Sequence, residues 1–370
     1  MEEAKIISNQ LVPQYIKELN TYKAGKPIEE LAREKGLTKI VKLASNENPL
    51  GAPPKVITKI KDALEKLQFY PDMHSFDLKE KLAKKYNLAH ENIILGNGSE
   101  GIISYIMRSF VGPGSRIITS QSTFIGFEIL SRSVGAELIQ TKLTDDMKFD
   151  VQAIVDAVDD NTRVIYIANP NNPTGTYITT KEFEFLIENV PATTLIILDE
   201  AYFEFAKDQP DYPDTMKYRK DNILTLRTFS KSYGMAGLRL GYGFGHHDLI
   251  SNLHKVKLPF EPSLLAQAAG VVALDCDDHL EKTLENNQRN YEKLFNFLSE
   301  NGYTPIPSKT NFITFKADGF ADELNQFLLN NGVIIRDLKQ NGLPNYLRVS
   351  IGLDDECDFF IQKMSEFKRS

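Results

Sequence analysis

The 370-residue chain has no tryptophan, only two cysteines and six histidines, and a net charge of −7. Cys276 and Cys357 cannot build a disulfide framework, and neither sits in a Cys-x-x-Cys pair that would hold a metal or run redox chemistry. The acidic balance offers no general attraction to phosphate backbones or anionic lipid, which argues against nucleic-acid and membrane-surface roles. No apolar run approaches the ~18 residues needed to cross a bilayer. The best candidate, from Thr194 to Phe205, is interrupted by Asp199 and Glu200. The start, Met1-Glu2-Glu3-Ala4-Lys5, lacks the basic residues and apolar stretch of a signal peptide. These absences imply a cytoplasmic protein with reduced thiols.

What is present is an ordinary globular composition, 42% hydrophobic and 25% charged. The length exceeds the roughly 250–300 residues at which single cores stop growing, so a large and a small domain are expected. Short β-branched runs at residues 92–95, 116–119, 163–168, 194–198 and 222–227 alternate with helical-period segments at 99–110, 124–134 and 180–189. Such alternation predicts a mainly parallel sheet covered by helices on both faces. Val164-Ile165-Tyr166-Ile167 and Leu195-Ile196-Ile197-Leu198 read as strands buried on both faces. After Ser263 a long helical stretch runs to about residue 300, with a polar interruption at Asn286-Asn287. Strand-like runs at 311–315, 333–335 and 346–351, with helices at 321–329 and 354–367, then suggest a smaller α+β domain. Residues 10–41 are expected to pack on it.

Four stretches carry chemistry. In Thr228-Phe229-Ser230-Lys231-Ser232-Tyr233-Gly234, a lysine follows a strand end among hydroxyls, with Arg239 eight residues on. Lysine is the side chain that forms Schiff bases with carbonyls, and the hydroxyls with Arg239 would cradle a phosphate. Asp199-Glu200-Ala201-Tyr202 lies at the carboxyl end of a buried strand, where open α/β sheets bind ligands. Asp199 there could pair with a protonated pyridine nitrogen and Tyr202 could donate to a phenolate oxygen; the plainer reading is a helix cap. Asn169-Pro170-Asn171-Asn172-Pro173-Thr174-Gly175 fixes a rigid turn that would hold the Asn172 amide against a ligand. Gly96-Asn97-Gly98-Ser99-Glu100-Gly101 opens a helix whose free N–H groups suit an anion. It is neither G-x-G-x-x-G nor a Walker turn.

In this order the motifs resemble fold-type I pyridoxal-phosphate aminotransferases, and specifically the histidinol-phosphate aminotransferase group. The resemblance covers nearly the whole chain, from Tyr22-Lys23-Ala24-Gly25-Lys26-Pro27 and Asn46-Glu47-Asn48-Pro49-Leu50-Gly51, through Phe69-Tyr70-Pro71-Asp72, to Leu347-Arg348-Val349-Ser350-Ile351-Gly352. It implies an α/β fold with a large domain over 45–285, built on a mainly parallel seven-stranded sheet, and a smaller α+β domain from 1–44 and 286–370. It implies pyridoxal 5'-phosphate carried by Lys231, which also moves the proton at the substrate Cα. Asp199 is implied to keep the pyridine nitrogen protonated. Tyr202 and Asn172 would hydrogen-bond the phenolate oxygen, and Phe124 would stack on the ring. Many relatives have tyrosine at the Phe124 position, so a hydroxyl is missing here. The backbone of Ser99 and Glu100, with Thr228, Ser230 and Arg239, would hold the phosphate, joined by Tyr70 from a second subunit, which makes the active unit a homodimer.

For substrates, the resemblance implies that Arg348 clamps an α-carboxylate. Arg336 and Tyr22 receive the distal phosphate or γ-carboxylate, and Asn46 lines the entrance. The implied reaction is ping-pong transfer between histidinol phosphate and glutamate/2-oxoglutarate. An aromatic aminotransferase and a threonine-phosphate decarboxylase share the same motifs. A cofactor-sensing DNA-binding regulator would need an added helix-turn-helix, for which the roughly 40 residues before the motifs leave no room. A nicotinamide dehydrogenase would need a ribose-binding acid after its glycine turn, where Ser120-Gln121 stands instead. His246-His247 reads as a surface helix start without metal spacing, and residues 79–85 as the solvated face of a helix.

Overall fold

The computed structural model describes residues 11–21 and 25–368. Its largest sheet has seven strands: β1 (Ile93–Asn97), β2 (Arg116–Ser120), β3 (Glu137–Thr141), β4 (Thr162–Ala168), β5 (Leu195–Asp199), β6 (Ile223–Thr228) and β7 (Leu240–Phe244). They lie in the order β1-β7-β6-β5-β4-β2-β3, and only β7 runs antiparallel to its neighbours. Because alternate side chains leave a strand on opposite faces, β4 splits its apolar residues between two cores. Val164 and Tyr166 pack beneath the helices Gly98–Phe110 and Ile125–Ser133, while Ile165 and Ile167 pack with Phe183 and Leu186 of Thr180–Asn189. Burying both faces requires apolar residues throughout, which is what the sequence shows.

A second sheet of four antiparallel strands orders Arg336–Asp337, Tyr346–Ser350, Phe312–Lys316 and Thr304–Pro305. The helices Asp277–Glu300, Ala321–Asn330 and Asp354–Glu366 close a third core against it, around Ile313, Phe315, Leu294, Leu324 and Phe360. Val41–Lys42 joins this part by pairing in parallel with Val333–Ile334.

Several expectations need correction. Asn286 and Asn287 do not interrupt their helix. Its one real break comes earlier, between Leu264–Ala273 and Asp277–Glu300. The two amides are used inward: Asn286 Nδ2 donates to the Gly352 carbonyl (3.0 Å) and Asn287 Nδ2 to that of Thr310 (3.1 Å). The segment before residue 41 is divided. Leu31 buries with Ala44 and Ile334, but Gln14–Lys17 lies on the helix Ile125–Ser133 beside the large sheet. Lys79 is not solvated: it is buried, its ammonium 3.3 Å from His254 Nε2, and burial pulls its pKa down to about 8. His246 caps the helix His247–Val256 as expected, although ligand atoms of His246, His247 and Asp248 lie within 4.8 Å of one another.

Candidate active site

The carboxyl ends of β4, β5 and β6 and the helix that follows β1 converge on a cavity of ≈ 190 Å³. Its lining includes Ser99, Glu100, Phe124, Asn172, Asp199, Tyr202, Thr228, Ser230, Lys231 and Arg239, so ten of the eleven residues expected around the cofactor meet in one place.

Asp199, the last residue of β5, is 4% exposed. One carboxylate oxygen, Oδ2, accepts a hydrogen bond from the Tyr166 hydroxyl at 2.8 Å. The other, Oδ1, is buried without a partner. Burial disfavours the charged form and lifts the pKa to about 6, against the opposing pull of the Tyr166 hydroxyl, the Ala201 amide and Lys231. An unpartnered buried carboxylate oxygen lining a cavity costs stability unless a donor arrives to meet it. A protonated ring nitrogen is such a donor, so the site fits pyridoxal phosphate on this observation.

At the other end lies a cup of donors. The helix Gly98–Phe110 begins at the cavity, which Gly98 and Ser99 line, and a helix start carries free amides that suit an anion. Thr228 Oγ1 accepts from the Ser230 amide at 3.1 Å, holding two hydroxyls side by side. Arg239 is half-exposed, its Nη2 3.4 Å from Glu100 Oε2. The cup is tight: a Cβ on Gly98 would come within 2.9 Å of Arg239 Nη2, and one on Gly241 within 2.3 Å of the Ser99 nitrogen. Only glycine lets β7 approach the helix start that closely.

Lys231 follows β6, with Nζ 3.4 Å from the Asn46 carbonyl and 5.6 Å from the Tyr202 ring centre. Tyr202 accepts from Asn46 Nδ2 at 2.8 Å, which leaves its own proton to donate. Asn172 Oδ1 accepts from Arg348 Nη1, committing the amide nitrogen to a donor role. Arg348 also donates through Nη2 to the Ala44 carbonyl at 2.9 Å. Asn46 is fixed in turn by the Ser350 hydroxyl, which donates to its Oδ1 at 2.9 Å. Arg336 is half-buried and sits directly opposite Arg348 across paired strands, so the two guanidinium side chains share one sheet face.

Tyr70 stands apart from the cavity. It is 79% exposed and stacks on Phe260 (centroids 4.3 Å, planes 17° apart). Tyr22 lies outside the described residues. Sequence reasoning missed Tyr166, which lines the cavity and holds Asp199. The signal was a phenol in the middle of the apolar run Val164-Ile165-Tyr166-Ile167, whose hydroxyl needs a partner when buried.

The profile of the family described as aminotransferase class I and II matches residues 38–363. A protein of Carboxydothermus hydrogenoformans named histidinol-phosphate aminotransferase 2 is 38% identical, over 96% of this chain and 98% of its own. A Pseudomonas aeruginosa protein of the same name is 41% identical, over 95% and 96%. Among solved structures, histidinol-phosphate aminotransferase from Sinorhizobium meliloti, in complex with pyridoxal-5'-phosphate, superimposes with a TM-score of 0.87 at 28% identity, covering 96% of each chain. The chain belongs to the class I and II aminotransferases.

Proposed function

We propose that this protein is a pyridoxal-phosphate-dependent histidinol-phosphate aminotransferase. It transfers an amino group between histidinol phosphate and glutamate/2-oxoglutarate in histidine biosynthesis, in the cytoplasm. The observation that carries the cofactor reading is the unpartnered Asp199 Oδ1 in the same cavity as Lys231. Arg336 beside Arg348 supports the substrate reading, because two cations on one face suit a substrate pair that between them bring an α-carboxylate and a distal phosphate or γ-carboxylate.

Bound pyridoxal phosphate supplies a ring that accepts the negative charge developing at the substrate Cα. The chain's residues do the rest. Asp199 provides the charge that keeps the ring nitrogen protonated. Lys231 carries the cofactor and moves the proton at Cα. Tyr202 and Asn172 donate to the phenolate oxygen, and Phe124 stacks. The backbone amides of Ser99 and Glu100, with Thr228, Ser230 and Arg239, hold the phosphate. Arg348 binds the α-carboxylate, Arg336 and Tyr22 take the distal anion, and Asn46 lines the entrance.

The active unit in this reading is a homodimer in which Tyr70 serves the partner's site. Its support is the band of exposed apolar side chains around Tyr70, comprising Leu67, Phe69, Met73, Phe76, Leu258 and Phe260, too many for open solvent. The test is a half-reaction titration: cofactor-loaded protein is mixed with histidinol phosphate, then separately with phenylalanine, and the cofactor spectrum is followed. Conversion at lower concentration with histidinol phosphate is expected. Arg336→Ala should abolish that preference while leaving the response to alanine nearly unchanged. Faster conversion by phenylalanine makes the protein an aromatic aminotransferase instead.

A further inference from the structure

We propose that Tyr166 is a positioning residue: its hydroxyl locks the Asp199 carboxylate with Oδ1 toward the cavity and keeps that carboxylate ionised. The inference rests on the reading of Asp199 as the partner of the cofactor's ring nitrogen.

The geometry is closed around the pair. Tyr166 is 0% exposed on β4, beside β5 in the sheet, and its hydroxyl donates to Asp199 Oδ2 at 2.8 Å. Its ring lies flat on Phe127, centroids 3.8 Å apart and planes within 11°. Phe127 stands one helical turn beyond Phe124, so a single segment sets both the ring-stacking side chain and the clamp on Tyr166. With one oxygen held, rotation of the carboxylate is blocked, and the other oxygen is left without a partner in a residue that lines the cavity.

The charge balance requires such a donor. Around Asp199 stand Glu200, the next residue after β5, Lys231 from the turn after β6, and the Tyr166 hydroxyl from β4. Glu100, from the helix Gly98–Phe110, and Tyr202 bear on Tyr166 itself. Burial and Glu200 push Asp199 toward its neutral form, whereas the Tyr166 hydroxyl, first among them, the Ala201 amide and Lys231 oppose them. A neutral Asp199 could not hold a proton on a ring nitrogen. A phenol surrounded this way stays protonated, since its own ionisation is pushed far upward by burial and by Asp199. It is therefore a permanent donor over the working pH range.

The test uses Tyr166→Phe, which keeps the ring on Phe127 and removes only the hydroxyl. In cofactor-free protein carrying 13C-labelled aspartate, the Asp199 carboxyl resonance, assigned by its loss in Asp199→Asn, should titrate about one pH unit higher or more. In the loaded enzyme kcat should fall about tenfold or more, with KM for the amino donor within about twofold. Incorporating 3-fluorotyrosine at position 166, a stronger donor, should move the midpoint the other way, and it supplies the test if Tyr166→Phe folds poorly. An unchanged midpoint, or a shifted midpoint with kcat intact, overturns the proposal. Full activity in Asp199→Asn would instead overturn the role of Asp199 itself, so the two failures are distinguishable.

Discussion

Asp199 and Glu200 are consecutive buried carboxylates at the end of β5, yet they live in opposite circumstances. Glu200 is 0% exposed and fully met. Arg227 Nε donates to its Oε2 at 2.8 Å with Nη2 equally close, and the Thr215 hydroxyl donates to Oε1 at 2.6 Å. Arg227 in turn lies on the Phe203 ring, 3.3 Å from its centre. Asp199, on the other face, has one oxygen held and one without a partner at a cavity. Both Glu200 oxygens are met by the chain's own groups, and the pair with Arg227 ties β5 to β6, the strand that leads to Lys231. Asp199 instead has an oxygen without a partner in a residue that lines a cavity, which marks a place where a donor can bind.

The contrast can be broken from either side. The largest effect is expected for Arg227→Gln, which strands a buried Glu200. Loss of one partner from such a pair costs about 3–5 kcal/mol. Denaturant unfolding should show it with or without cofactor, and Arg227→Gln with Glu200→Gln together should recover part of the loss. A cost below about 1 kcal/mol would remove the structural reading of the pair.

Asp199→Asn should do the reverse, harming chemistry and sparing the fold. Transamination should fall on the order of 10²-fold or more, as for loss of a preorganised charge. The pH dependence has a definite sign. Burial raises the carboxyl from 3.8 to about 6, so between those values the folded protein binds more protons than the unfolded chain. Its stability without cofactor therefore drops as pH rises through that window, by about 3 kcal/mol in total. The Asn variant lacks this loss, so chemical denaturation from pH 3.5 to 7 should find it gaining on the unmodified protein. Parallel profiles would mean Asp199 is ionised at no cost, and its oxygen well met.

Much of this site was legible because its residues come in short strings tied to strand ends. A lysine after β6, a carboxylate ending β5 and a rigid turn after β4 needed no tertiary information once the parallel sheet was recognised. What escaped depends on contacts between distant segments. Leu240-Gly241-Tyr242-Gly243-Phe244 reads poorly as a strand, because alternate glycines weaken one. Yet a Cβ at Gly243 would come within 2.9 Å of Leu226, and Gly241 must clear Ser99. Asn286 and Asn287 looked like a helix break because polar pairs favour turns, but carbonyls from residues 352 and 310 accept their amides. Lys79 looked solvated because nothing nearby in sequence announces His254. β3, an edge strand with a half-exposed face, offered no continuous apolar run to notice.

The claim beneath all of this is that the cavity at the ends of β4 to β6 carries pyridoxal phosphate on Lys231. The most direct measurement is borohydride reduction of the loaded protein followed by peptide mass mapping. The account predicts a pyridoxyl group on Lys231, with none formed there in Lys231→Ala and transamination lost. An adduct on another lysine, or turnover that survives in Lys231→Ala, would contradict it.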